Sequence, residues 1–332
     1  MKMNMYKWLE DAASLPVKAM PILSFPAVQL IGISVKELIA SSDNQVKAMK
    51  IVADKTPSIA SVSLMDLSVE AECFGSKVVF HDDEVPAVVD EIVTSEEEAK
   101  ALVVPPADSK RAGICIEAIA KATQLITDRP IFAGVIGSFS LAGRLVGVTD
   151  AMVYCYDEPD MMKIVLEKST QFLIEYCKKF KQAGANGVVI AEPLTGLLSP
   201  AFAEEFSTPY LKAIVDAVQD EDFLVIYHNC GNTALRIIDT ILEVGAKVYH
   251  FGNAVDMEQV MKAVPENVVA MGNIDPAGQF RNGTVESITK ATEELLEKCG
   301  KYNNFILSSG CDIPPLAKWE NIDAFFKAAG HK

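Results

Sequence analysis

His228-Asn229-Cys230 and, 81 residues past that cysteine, Cys311 in Ser308-Ser309-Gly310-Cys311-Asp312-Ile313-Pro314-Pro315 are the residues here whose types and spacing could do chemistry. One imidazole and two thiolates supply three of the four donors of a tetrahedral zinc, and a zinc with three protein ligands keeps one position open. Such a site suits the binding and activation of another sulfur. Alternate residues of an extended segment point the same way, so His228 and Cys230 can aim at one point. Gly231, which follows, allows a tight turn and a close backbone approach. A plainer reading uses the same residues as small buried cysteines and a hydrogen-bonded core histidine. Spacing alone leaves both readings open.

Each of these stretches follows a short apolar run. Eight runs occur in all: 20–25, 59–64, 131–137, 187–191, 223–227, 247–251, 267–271 and 305–307. They are rich in Val and Ile with little polar alternation, as expected of parallel strands covered on both faces. Helical patterns lie between them. Asp157-Glu158-Pro159 opens one helix with a capping carboxylate and Pro in the first turn, and Gly184 closes it. Its stripe of Met162, Val165, Leu166, Ser169, Leu173, Tyr176, Cys177 and Phe180 keeps the i, i+3, i+4 rhythm of a buried face. A second helix runs from Thr284 to Lys298 and ends at Gly300, with Ile288, Ala291, Leu295 and Leu296 inward.

Eight strands with intervening helices close most simply into a (β/α)8 TIM barrel, here a single domain over residues 1–332. Neither GxGxxG nor GxxxxGK[ST] is present to favour a doubly wound open sheet. Residues 65–130 are too long for one βα connection. They read as an insertion between strands 2 and 3, with runs at 77–80 and 86–93 and a helix near 113–126. The first 18 or so residues predict a short leading helix. Barrel active sites lie at the carboxyl ends of the strands, and there His228 and Cys230 leave the fifth strand and Cys311 the eighth.

Charge and composition narrow the function. The 332 residues include 30 Lys and Arg against 45 Asp and Glu, a net charge of −15. Nucleic-acid affinity rests on basic side chains neutralising phosphates, so that class of partner is not expected. No stretch approaches the roughly 20 apolar residues of a membrane span. The opening Met1-Lys2-Met3-Asn4-Met5-Tyr6-Lys7-Trp8 has no signal-peptide core, and a cytoplasmic location with seven reduced cysteines is expected.

The remaining candidates are weaker. Cys115, Cys155, Cys177 and Cys299 fall in helical context, and Cys73 has no second ligand nearby, so packing explains all five. His81-Asp82-Asp83-Glu84 reads as a solvated acidic loop, and His331 as part of a disordered end. His250 faces either the barrel interior or the helices. Glu192 ends the fourth strand and Asp275 follows the seventh. Such acids contact substrate, orient a ligand or cap a helix.

With these residues in view, the chain resembles the uroporphyrinogen decarboxylase superfamily, and within it the methylcobamide:coenzyme M methyltransferase type. The likeness runs over nearly the whole chain. It includes Ser68-Val69-Glu70-Ala71-Glu72-Cys73-Phe74-Gly75, Gly137-Ser138-Phe139-Ser140-Leu141-Ala142-Gly143 and, more loosely, Leu197-Leu198-Ser199-Pro200-Ala201-Phe202 ahead of Pro209-Tyr210-Leu211. Its specific parts are His228-Asn229-Cys230-Gly231, Gly272-Asn273-Ile274-Asp275-Pro276 and Gly310-Cys311-Asp312-Ile313-Pro314-Pro315. The resemblance implies Zn2+ on His228, Cys230 and Cys311. It also implies a methylated corrinoid protein as methyl donor, and a small thiol such as coenzyme M as acceptor. On it, Glu192, Asn253, Asn273 and Asp275 are the substrate-binding candidates, and the reacting nucleophile is the thiol itself. Asn253 stands where those methyltransferases tend to carry an acid, which leaves homocysteine, other thiols and folate open as acceptors. The same superfamily offers a decarboxylase of an octacarboxylate porphyrinogen, and a non-catalytic corrinoid- or zinc-binding protein is a third reading. Octacarboxylate binding calls for arginines. The chain has five (111, 129, 144, 236 and 281) and none in its first 110 residues, where Pro16-Val17-Lys18-Ala19-Met20-Pro21 replaces an arginine-rich start.

Overall fold

The structure, a computed structural model, describes residues 3–15 and 18–330. His331 and the Pro16-Val17 pair lie outside the described residues. Among the described residues nine strands form in chain order: β1 Ser61–Val62, β2 Val78–Val79, β3 Ala87–Val88, β4 Ile131–Ile136, β5 Gly187–Ala191, β6 Leu224–Asn229, β7 Val248–Phe251, β8 Val269–Ile274 and β9 Phe305–Ser309. Seven of them make one parallel sheet in the order β1-β4-β5-β6-β7-β8-β9, and β2 and β3 form a separate antiparallel pair.

The sheet curls around an inner layer. Alternate residues Val62, Phe132, Val189, Ala191, Leu224, Ile226, Val248, Met271 and Ile306 form one buried cluster. Their neighbours Ile131, Ala133, Val188, Ile190, Val225, Tyr227, Tyr249 and Phe305 belong to the larger cluster shared with the helices. This explains the absence of polar alternation, because both faces of the seven-stranded sheet are covered. Outside, Pro159–Gln182 packs on Thr208–Val218 and Ser138–Val146, Ser42–Lys55 on Lys110–Leu125, and Val285–Cys299 on Trp319–Ala328. The leading helix Met5–Ala13 begins with Asn4 accepting from Lys7 N, and Met5 joins the inner cluster with Trp8 against it. Among the described residues no helix is long and apolar enough to cross a membrane.

Seven sheet strands stand where eight runs were expected. The missing one is 20–25, ahead of which Ala19 forms an isolated bridge to Leu307. Met20 N donates to Leu307 O, Leu307 N to Lys18 O, and Ile59 N to Ala19 O, so the segment lies between β9 and the approach to β1. Pairing stops there because Pro21 has no N–H and the next amide, Ile22 N, donates to the Ser309 hydroxyl instead. The run 59–64 shortens to Ser61–Val62, while β6, β8 and β9 extend beyond their apolar runs to Asn229, Ile274 and Ser309. Residues 63–130 between β1 and β4 hold the helix Val69–Phe74, the β2–β3 pair, Glu96–Ala101 and Lys110–Leu125. The two runs and the helix expected there are present.

Helix ends follow the residue types. Thr284 caps Val285–Cys299 in a reciprocal box with Ser287. Gly184, at φ +96°, ends the approach to β5 in the left-handed region that favours glycine. Glu158, by contrast, precedes Pro159–Gln182 without a side-chain cap bond, and a separate helix, Val148–Asp157, comes just before it.

Phe132, fully buried with Trp8 at a centroid distance of 5.9 Å, tests the inner layer. Phe132→Ala is expected to lower unfolding stability by about 3–5 kcal/mol in a urea titration. A loss under about 1 kcal/mol would mean that the layer is not packed as described.

Candidate metal centre

The carboxyl end of β6 places His228 and Cys230 two residues apart. Parallel register sets His228 beside Ala191 of β5 and His250 of β7, while β9 leads through Gly310 to Cys311. The ligand atoms of His228, Cys230 and Cys311 lie within 4.8 Å of one another. Among the described residues this is the one group of three or more His, Cys, Asp or Glu side chains so arranged. His228 Nε2 is 3.4 Å from Cys311 Sγ. His228 is buried, whereas both cysteines are partly exposed, so the sulfur side opens outward.

Glycines make this approach possible. A Cβ on Gly252 would stand 2.5 Å from Cys230 Cα, and one on Gly310 would stand 2.6 Å from Asn253 N. Gly231 meets Gly196 in the same way, at 2.7 Å, which is the close backbone approach anticipated for it.

The histidine tautomers follow from their acceptors. His250 Nε2 lies 2.7 Å from Ser309 O, a carbonyl that only accepts, so Nε2 carries the proton. His250 Nδ1, bare in the neutral ring, then accepts from His228 Nδ1 at 2.7 Å. The His250 carbonyl, 3.3 Å from the same His228 nitrogen, also requires a proton there. His228 Nε2 is left with a free lone pair facing Cys311. Burial and then the neighbouring His228 push the His250 pKa well below its ordinary value, which keeps that ring neutral. An orienting partner on the far ring nitrogen is what a metal-binding histidine needs.

The two thiols share a proton. Cys230 is pulled down to about 4, first by the Cys311 S–H donating to it and further by His228. Cys311 is pushed well above the ordinary range because Cys230 holds its proton and because it is buried. An imidazole held by His250 at its far nitrogen and two neighbouring cysteine sulfurs form a donor set that fits zinc.

The four substrate-binding candidates sit around this centre in different ways. Glu192 is fully buried, and its carboxylate accepts from Phe139 N, Ser140 N and the Ser140 hydroxyl. It thereby caps Ser138–Val146, the helix after β4; burial pushes its pKa up to about 7 against these bonds. Asp275 accepts from Ala277 N and Gly278 N and caps its own following turn. Asn273 donates to Gly252 O and Val255 O, tying β8 to the loop after β7. Asn253 lies exposed against Gly310, next to Cys311.

Two further residues support the centre. Asn229, between the paired ligands, donates to Glu192 O and Tyr227 Oη and accepts from Gly231 N. His250, ambiguous by strand position alone, faces inward. The remaining cysteines are free, and His81-Asp82-Asp83-Glu84 is exposed in the β2–β3 loop.

A parallel α/β sheet with a nitrogen–sulfur donor set at the carboxyl ends of its strands defines the class. The family model described as uroporphyrinogen decarboxylase (URO-D) matches residues 14–331, and the chain belongs to that family. It is 29% identical over 271 residues to the methylcobamide:CoM methyltransferase MtbA of Methanosarcina acetivorans, covering 80% of this chain and 77% of that one. To the uroporphyrinogen decarboxylase of Prochlorococcus marinus it is 31% identical over 174 residues, 52% of this chain and 49% of that one. Among solved structures, a methyltransferase from Methanosarcina mazei matches with TM-score 0.86 at 21% identity over 99% of both chains. A B12-independent methionine synthase from Shewanella sp. W3-18-1 matches with TM-score 0.63 at 14% identity, covering 95% of this chain and 96% of that one. At these identities the two structures establish a shared fold.

Purified protein is expected to bind about one zinc per chain through one nitrogen and two sulfur protein ligands. X-ray absorption showing only oxygen and nitrogen neighbours would sink this. Cys230→Ala and Cys311→Ala should each lose most of the metal yet keep their far-ultraviolet circular dichroism, since a core this large folds without it. Unfolding of both variants at room temperature would make the centre structural instead.

Proposed function

We propose that the protein is a zinc-dependent methyltransferase moving a methyl group from a methylated corrinoid protein to a thiol acceptor, coenzyme M being the first candidate. The observation that carries this reading is the convergence of His228, Cys230 and Cys311 within 4.8 Å, in a chain similar to a methylcobamide:CoM methyltransferase. In this reading the Lys18–Met20 segment is the eighth stave of a (β/α)8 barrel, residues 65–130 are an insertion over its mouth, and the protein works in the cytoplasm.

Each residue has a part. His228 offers Nε2 because His250 fixes its tautomer, and Cys230 and Cys311 contribute two negative charges. Zinc held there supplies the positive charge that lets an incoming thiol, ordinarily with a pKa near about 8.5, shed its proton close to neutral pH. Two thiolate ligands leave the acceptor sulfur electron-rich. That sulfur attacks the methyl carbon, forming the S–C bond as the Co–C bond breaks and its electron pair stays on cobalt. Asn253, beside Cys311, contacts the acceptor directly. Asn273, Glu192 and Asp275 act through the backbone they hold.

The decarboxylase reading has less support. Of the five arginines, Arg111 is buried between Asp66 and Glu72, and Arg129 pairs with Asp128 and bonds Thr56 O and Ser58 O. Too few remain to neutralise eight carboxylates. A non-catalytic corrinoid- or zinc-binding role would share the metal centre and differ in turnover.

With methylcobalamin and a panel of thiols, loss of methyl–cobalt absorbance is expected only with the zinc-loaded protein. The acceptor's apparent affinity should rise with pH until its sulfur is fully ionised. Equal activity of the metal-free protein would refute the mechanism, and no turnover with any donor would favour the non-catalytic reading.

Uroporphyrinogen offered to the same preparation should be recovered unchanged. Coproporphyrinogen formed at enzyme-like rates would restore the decarboxylase reading.

A further inference from the structure

Next to the metal centre lies a cavity of about 380 Å³ whose wall includes Asp312, the residue after Cys311. Its lining brings two arginines, Arg144 and Arg281, together with three acidic side chains, Asp83, Glu84 and the buried Asp312. Among the described residues, neither guanidinium has an ion-pair or hydrogen-bond partner, unlike Arg111 and Arg129. Arg144 is half-buried at the end of Ser138–Val146, and burial lowers its pKa with no carboxylate acting against the shift. A desolvated guanidinium without a counter-ion calls for an anion, and its planar fork suits a carboxylate. Asp312 presents the complementary lack. Its Oδ1 is buried and accepts no hydrogen bond, so a ligand donor has to reach it.

We propose that this cavity holds the head of the methyl acceptor, and that the acceptor is a zwitterionic α-amino-acid thiol. Its carboxylate sits on Arg144 and Arg281, and its ammonium faces Asp312, Asp83 and Glu84. The proposal rests on the methyl-transfer reading and narrows it. A simple anionic thiol answers the arginines and leaves Asp312 without a donor; an aminothiol does the reverse. A cavity of this size suits a small molecule. Asp312 puts the cavity wall one residue along the chain from the metal ligand Cys311.

The test is calorimetric binding of matched thiols to the zinc-loaded full chain. L-homocysteine carries both head groups, 4-mercaptobutyrate lacks the amine and 3-aminopropane-1-thiol lacks the carboxylate; 2-mercaptoethanesulfonate is the anionic control. L-homocysteine should bind at least about tenfold more tightly than each of the others, as a site built around paired polar groups rejects analogues that leave them empty. Arg144→Gln should remove its advantage over 3-aminopropane-1-thiol, and Asp312→Asn its advantage over 4-mercaptobutyrate. Metal content is measured in both variants, and Arg144→Gln decides alone if Asp312→Asn loses zinc. Equal or tighter binding of any truncated thiol, or of 2-mercaptoethanesulfonate, overturns the proposal. The expected binding order without methyl transfer from methylcobalamin would overturn the reaction and leave the acceptor class standing. Preferential methylation of 2-mercaptoethanesulfonate would do the opposite.

Discussion

Two sulfurs and an imidazole nitrogen held within 4.8 Å of one another set the terms for the rest of the site. Without a cation the second thiol cannot ionise beside the first, because a buried like charge raises its pKa steeply. The surroundings hold this pair in place. Gly252 and Gly310 remove side chains that would push the loops apart, Asn229 locks β6 to the end of β5, and His250 turns the free lone pair of His228 toward the sulfurs. A chain that only needed to pack its core would gain nothing from a hydrogen-bonded histidine pair at the carboxyl end of its strands.

That centre was legible because it uses short-range geometry. HxC at the end of a strand puts two donors on one side whatever the rest of the fold does. Cys311 was reachable through the resemblance in its Gly-Cys-Asp-Ile-Pro-Pro context. What stayed hidden depends on partners distant in sequence. Glu192 reads as a strand-end acid, yet its carboxylate caps a helix that begins 54 residues earlier, at Ser138. The role of His250 requires the register of β6, β7 and β9 together. The first expected strand failed for a local reason that was visible in hindsight: Pro21 removes the next donor of the ladder.

The family contains both decarboxylases and methyltransferases on one scaffold, so fold alone does not choose between them. Arginine placement is more informative than arginine number. Arg111 bridges Asp66 and Glu72 and accepts no outside anion while doing so. Glu70, beside that network, accepts from Ile136 N and is pushed up to about 7 by burial. This polar cluster thus anchors Val69–Phe74 to the sheet, and the most conspicuous charge in the sequence motif 68–75 serves architecture. Arg144 and Arg281 lie elsewhere, in the cavity beside Asp312.

Asn253 brings these strands of argument together. It packs against Gly310 and is exposed beside Cys311. A neutral amide there adds no third anion to the two cysteines, so a metal between them would keep more of its positive charge for an incoming sulfur. The acidic side chains of this face, Asp83, Glu84 and Asp312, one residue beyond Cys311, instead line the neighbouring cavity.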